Sequence, residues 1–254
     1  MRFSVLASGS SGNATVVEAG ETAILIDCGL SVRRLAARAT TLGLDLSSLD
    51  AVVVTHEHGD HIGGVGPLAR RYGLPVYMTH GTRAAAGFEH EHKFDVTEIS
   101  PHETFTIGEL CLHPAPVPHD AREPCQFVVA RESKRLGILT DLGSDTRHIQ
   151  QHFAGCCALV LEFNHDLELL SGCEYPDSVK DRIAGRLGHF NNAQASTLLE
   201  TLKSTRLRHV LGAHVSARAN HVDLVQRSLA TVLGGSATTW DVAEQETATP
   251  WIEV

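Results

Sequence analysis

Four side chains able to bind a metal fall within six residues of this sequence: His56, His58, Asp60 and His61, in the run Thr55-His56-Glu57-His58-Gly59-Asp60-His61. Imidazole nitrogen and carboxylate oxygen are donors that zinc, iron and manganese accept. His56 and His58, two residues apart, can point one way while the adjacent Asp60 and His61 reach a second ion. Two ions roughly 3.5–4 Å apart recur in phosphatases and nucleases, and bound metal lowers the pKa of water from 15.7 toward about 7, supplying hydroxide at neutral pH. The helical zincin pattern His-Glu-x-x-His does not fit, because the residue four after His56 is Asp60. His90-Glu91-His92 repeats the His-x-His spacing with no Asp-His behind it and reads as a solvated loop.

Such a cluster needs a rigid base, and the apolar strand Ala51-Val52-Val53-Val54 ends immediately before it. Around this strand the pattern predicts paired strands at 2–7, 14–19 and 22–26, a helix at 31–41, a helix at 64–72, a strand at 75–78 and a short helix at 84–86. Several strands follow between 94 and 139. A second mixed half begins near Asp145, with helices at 145–152, 176–186, 193–203 and 222–233 and strands at 158–163 and 209–213. No linker, low-complexity stretch or repeat interrupts the chain. The expectation is one α/β (α+β) domain over residues 1–254, made of two halves, each a sheet covered on its outer face by helices.

An apolar fraction of 43% and a charged fraction of 20% describe an ordinary globular chain. The N-terminus lacks a long apolar region with a cleavage site, and no run approaches the roughly 20 apolar residues of a membrane span, so the cytoplasm is the expected location and no membrane partner is expected. Six cysteines show no Cys-x-x-Cys pair, which predicts buried free thiols and excludes a cysteine-rich structural zinc site. The formal charge of -9 opposes long-range attraction to nucleic acid. Two divalent cations would nonetheless create a local anion site in an acidic body.

The run Thr-His-x-His-x-Asp-His resembles the motif of the metallo-β-lactamase superfamily. That resemblance implies a four-layer αβ/βα sandwich with metals at one edge, and it extends over essentially the whole chain. The superfamily's later ligand positions match His119 in Val117-Pro118-His119-Asp120, Asp141 in Thr140-Asp141-Leu142-Gly143, and His214 in Gly212-Ala213-His214-Val215. By this carry-over His56, His58 and His119 hold one ion, Asp60, His61 and His214 the other, and Asp141 bridges. The ions would be zinc, with manganese or iron as alternatives. Diiron flavoprotein relatives usually carry Glu where His58 stands, which speaks against redox use. Asp27 matches a motif aspartate that braces the ligand loop.

Leu6-Ala7-Ser8-Gly9-Ser10-Ser11-Gly12-Asn13, Glu162-Phe163-Asn164-His165-Asp166 and Gly188-His189-Phe190-Asn191-Asn192 further resemble YycJ/WalJ-type proteins, whose later half is similar to ribonuclease Z. This implies phosphodiester cleavage with a nucleic acid substrate, including exonuclease action on DNA, in which Asp60 orients the attacking hydroxide and Glu162 or His189 delivers a proton. Asn191 departs from the Ser or Thr common in that pattern. The turn at residues 9–13 offers a phosphate its backbone N–H groups or is a plain hairpin turn. Arg33, Arg34, Arg38, Arg70 and Arg71 form a phosphate track or a solvated face. The alternatives are a small-molecule hydrolase of a cyclic phosphate, thioester or lactone, favoured by the acidic charge, and a metal-binding DNA accessory protein with little activity. Oligomeric state is not legible.

Overall fold

The computed structural model describes residues 1–88 and 93–254. Three antiparallel strands open the chain, β1 (Arg2–Ala7), β2 (Ala14–Ala19) and β3 (Thr22–Ile26). From there the connections become helical crossovers: α1 (Val32–Thr41) leads to β4 (Ala51–Val53), the short α2 (Gly59–Ile62) and α3 (Val65–Tyr72) to β5 (Val76–Thr79), and α4 (His80–Ala85) precedes β6 (Val96–Ile99). Strands β3 to β6 run parallel. Ser31 caps α1 by accepting the N–H of Arg34, and Gly73 ends α3 in the left-handed conformation that favours glycine.

The second sheet begins with the antiparallel β7 (Phe105–Ile107), β8 (Leu110–Pro116), β9 (Cys125–Arg131) and β10 (Lys134–Leu139). It then turns parallel through α5 (Arg147–Phe153), β11 (Ala158–Glu162), α6 (Leu167–Gly172), α7 (Asp177–Ala184), α8 (Asn192–Leu202), β12 (His209–Ala213), α9 (Val222–Leu233) and β13 (Thr239–Val242). The C-terminal β14 (Ile252–Glu253) returns to pair with β1. The sheet orders are β14-β1-β2-β3-β4-β5-β6 and β13-β12-β11-β10-β9-β8-β7.

Alternation along each strand builds three cores at once. Val53 packs between the sheets with Phe3, Ile24, Phe127, Val160 and Leu211, whereas its neighbour Val52 faces outward to Leu35 of α1 and Leu68 of α3. In the second half Leu161 faces Leu198 of α8 and Leu229 of α9. Successive strand side chains point to opposite faces, so a strand buried on both faces must be apolar along its length, as β4 is throughout and β11 is up to the Glu162 that ends it. The result is a four-layer αβ/βα sandwich.

Among the described residues five elements lie outside the pattern read from the sequence: a 3-10 turn at Leu46–Ser48, α2, α6, β13 and β14. None exceeds six residues, too short for a helical period to show, and the edge strand β13 buries only Val242. Cys28, Cys125 and Cys156 are buried free thiols as expected, but Cys111, Cys157 and Cys173 are only partly buried. Among the described residues no helix is long and apolar enough to cross a membrane.

Candidate metal centre

The C-terminal ends of β3, β4, β10, β11 and β12 meet along one edge of the sandwich, and each delivers a polar residue there. Asp27 follows β3, residues 55–61 follow β4, Asp141 lies just past β10, Glu162 ends β11 and His214 follows β12. His119 stands three residues beyond β8, in a loop. Asp27, Asp141 and His214 have φ of 60°, 57° and 52°. A left-handed non-glycine residue costs about 1–2 kcal/mol. Three such residues at one edge show the backbone bent to turn side chains into the cleft at the expense of stability.

Four overlapping groups of donors converge: His56, His58 and His119; Asp60, His61 and His214; His56, His61 and Asp141; and Asp141, Glu162, His189 and His214. Within each group the donor atoms lie within 4.8 Å of one another. Asp141 therefore stands between the two triads. All nine residues singled out in the sequence as ligands or proton carriers meet at this centre, while His90-Glu91-His92 lies outside the described residues.

Each histidine of the triads is anchored through one ring nitrogen. His61 Nδ1 donates to Asp27 Oδ2 at 2.8 Å, His214 Nδ1 to Glu162 Oε1 at 2.9 Å, and His119 Nδ1 to the Gly188 carbonyl at 3.0 Å. His58 Nε2 donates to the Asp120 carbonyl at 3.3 Å, and His56 Nδ1 to Thr55 Oγ1 at 2.9 Å, whose own proton goes to Asp27. These partners fix the ring orientations and aim His56 Nε2, His58 Nδ1, His61 Nε2, His119 Nε2 and His214 Nε2 inward, each able to offer a lone pair when its ring is neutral.

The inward atoms lack what buried polar atoms normally have. His56 Nε2 and His214 Nε2 are buried without a hydrogen-bond partner, Asp141 Oδ2 meets His61 Nε2 at 3.1 Å, and His119 Nε2 faces His58 Nδ1 at 3.2 Å. Orphaned buried donors and acceptors cost about 1–3 kcal/mol each, so a cluster of them calls for a cation. Protons supply part of that charge here: burial pushes the His61 imidazole down, but the carboxylates of Asp141 and Asp27 outweigh it and hold it well above its usual range. Burial likewise opposes charging of His214, which Asp141, Asp60 and Glu162 nevertheless raise to about 10. Burial and the neighbouring His61 hold His56 well below, as a neutral donor. The donor set fits divalent metal.

Glu162 is saturated. Oε1 accepts from His189 Nδ1 at 2.8 Å and from His214, and Oε2 accepts the N–H of Leu142 at 2.8 Å and of Phe190 at 3.1 Å. Burial raises its pKa, but His189 and His214 more than offset this and bring it to about 2. Its four donors demand an ionised acceptor. Asn191 caps α8 in a reciprocal box with Gln194, so the departure from Ser or Thr preserves the helix start beside His189.

Several contributors were not legible in the sequence. Asn13 Nδ2 lies 3.1 Å from His61 Nε2 and 3.4 Å from Asp60 Oδ2, and Ser8 Oγ accepts the N–H of His214 at 2.7 Å. The turn at residues 9–13 spends its N–H groups internally: Gly9 on Asn13 Oδ1, Ser11 on Gln245 Oε1, Gly12 on the Gly9 carbonyl and Asn13 on the Asp60 carbonyl. It braces the ligand loop, and a phosphate would find few of these groups available. Gly29 completes the fit, since a Cβ there would stand 1.8 Å from the Asp60 carbonyl oxygen. The arginine track is also partly spoken for, because Arg34 and Arg38 both pair with Glu246 at 2.6 and 2.8 Å and Arg38 is buried.

Comparison with known proteins agrees with this geometry. A family model described as the beta-lactamase superfamily domain matches residues 22–214. The chain is 35% identical to "Exodeoxyribonuclease YycJ" of Bacillus anthracis over 92% of this chain and 89% of that one. It is 30% identical to "Exodeoxyribonuclease WalJ" of Streptococcus pneumoniae serotype 2 over 100% and 98% of the two chains. The crystal structure of the metallo-beta-lactamase fold protein YhfI from Bacillus subtilis superposes with a TM-score of 0.75 at 17% identity, covering 98% of this chain and 99% of that one, a likeness of fold. With the motif, the sandwich and the full-length relatives in agreement, the chain belongs to the metallo-β-lactamase superfamily, within its YycJ/WalJ branch.

Proposed function

We propose that the protein is a dinuclear metal-dependent phosphodiesterase that cuts nucleic acid, with DNA exonuclease action as the specific activity. The observation that carries this is the double triad: two sets of three donors on either side of Asp141, in which all five imidazoles have the outer ring nitrogen already engaged. His56, His58 and His119 would hold one ion and Asp60, His61 and His214 the second, with Asp141 available to both. Zinc suits this histidine-rich set best. When bound, such ions act as Lewis acids toward a phosphoryl oxygen and provide hydroxide at neutral pH.

The chain's own groups supply orientation and a proton. Asp60, partly exposed and held by Asn13 beside His61 and His214, has a carboxylate placed to orient the attacking oxygen. The four donors on Glu162 assign it to holding His189 and His214 in place, and this narrows the proton carrier to His189. His189 Nδ1 is fixed by Glu162, and Nε2 has no hydrogen-bond partner among the described residues, free to serve the leaving oxygen. The nuclease reading is favoured over a small ester substrate by relatives that match along nearly their whole length and are named exodeoxyribonucleases.

The test is a panel of single-stranded DNA, double-stranded DNA, RNA and bis-p-nitrophenyl phosphate offered to metal-reconstituted protein with its metal content measured. Close to two ions per chain are expected. Asp60→Ala and His119→Ala should reduce turnover by at least about 10³-fold, within the range of whole catalytic effects of this size. Undiminished turnover in either variant, or an active preparation free of metal, overturns the assignment.

A further inference from the structure

Resting on the nucleic acid reading above, we propose that Arg182 forms a second phosphate subsite, separate from the metal ligands, that takes the backbone phosphate adjoining the one being cut. Arg182 lies on α7, and its Nε donates to Asp120 Oδ2. Asp120 reaches the centre from the other side: its carbonyl accepts from His58, and its Oδ1 lies 3.5 Å from His119 Nε2 and 3.8 Å from His58 Nε2. The guanidinium therefore stands one carboxylate away from two ligand imidazoles, and its side chain is 62% exposed. No other group pairs with it among the described residues, so the four N–H groups on its two Nη atoms are free. A guanidinium oriented through one edge and open along the other is built to meet a phosphate with two parallel hydrogen bonds.

Charge explains why such a cation is needed. Asp27, Asp60, Asp120, Asp141 and Glu162 bring five carboxylates to the centre, against four positive charges from two divalent ions, in a chain of formal charge -9. By this count the loaded centre keeps one more negative than positive charge, so a cation at the rim adds to the attraction for a polyanion. Arg182 offsets the balance at the rim.

The surrounding surface suits a nucleotide chain. Leu167, Leu169 and Leu187, the large apolar side chains most exposed among the described residues, all fall on the segment between β11 and α8 that carries Arg182. Leu187 adjoins Gly188, whose carbonyl anchors His119, and so borders the centre directly. Apolar side chains exposed together at the rim of a site mark a face that a ligand can cover.

The experiment measures binding by fluorescence anisotropy, using a labelled single-stranded phosphorothioate oligonucleotide over a range of salt, for wild type, Arg182→Gln and Arg182→Lys, with metal content determined for each. Arg182→Gln should weaken binding about tenfold, keep the full metal content and shrink the log–log salt slope by about one phosphate contact. Arg182→Lys should recover the slope and part of the affinity. The ratio of cleavage of oligonucleotide to bis-p-nitrophenyl phosphate should fall about tenfold in Arg182→Gln. Unchanged affinity and slope overturn the subsite. Loss of metal, or equal loss on both substrates, shows that Arg182 only props Asp120, and also overturns it. If wild type binds but cuts neither substrate, the nuclease reading fails while the binding comparison still decides the subsite.

Discussion

At the scale of single residues, Asp27 shows how a group that touches no metal sets what a ligand can do. Its Oδ2 receives the His61 Nδ1 proton at 2.8 Å and the Thr55 hydroxyl at 2.8 Å, while Oδ1 receives the Thr55 N–H at 2.8 Å. In Asp27→Asn an amide N–H facing His61 Nδ1 would reverse that bond and move the imidazole proton to Nε2, the atom aimed at the ion. Metal affinity is expected to fall about 10–100-fold, the usual cost of losing such support, with folding retained. Competition against a chromogenic chelator measures it, and unchanged affinity removes Asp27 from this role. Asp27 was legible because it sits at a strand end within a motif. Asn13 and Ser8 were not, since their partners at Asp60, His61 and His214 lie far along the chain and only folding brings them near.

At the scale of elements, the turn between β1 and β2 holds the second triad in place, and the C-terminal segment holds the turn. Gln245 accepts the Ser11 N–H at 2.8 Å and donates to the Gly12 carbonyl at 2.8 Å, while Gly9 and Gly12 adopt φ of 138° and 137° that side chains rarely take. Gln245→Ala removes both bonds at a partly buried site, which should cost about 1–2 kcal/mol. The melting temperature should drop by about 2–8 °C, given about 2–4 °C per kcal/mol for chains near this size. Because Asn13 steadies Asp60, the second ion should bind more weakly than the first, and metal titration followed by calorimetry separates the two. Equal weakening of both ions argues against this division. The strands at 2–7, 14–19 and 22–26 were legible to the residue because alternation and turn chemistry are local. The clamp between residues 11 and 245 was not, because nothing near Gln245 announces its partner.

For the whole molecule, the arrangement separates what holds the fold from what performs the chemistry. The three cores lie between the sheets and under the helices, while the donors occupy one edge where strand ends open. In the metal-free protein, protonated His61 and His214 supply part of the missing positive charge beside Asp141, so the edge is not left as bare carboxylates. Chelation should therefore leave a folded protein of lower stability. An ion present at 1,000 times its dissociation constant adds about 4 kcal/mol, which at about 2–4 °C per kcal/mol corresponds to a melting temperature about 8–16 °C lower after its removal. Calorimetry with and without chelator, alongside far-ultraviolet circular dichroism and metal analysis, tests this. Unfolding on chelation would make the ions structural cross-links between the two halves, and an unchanged melting temperature after verified metal loss would mean that the converging donors bind no ion tightly.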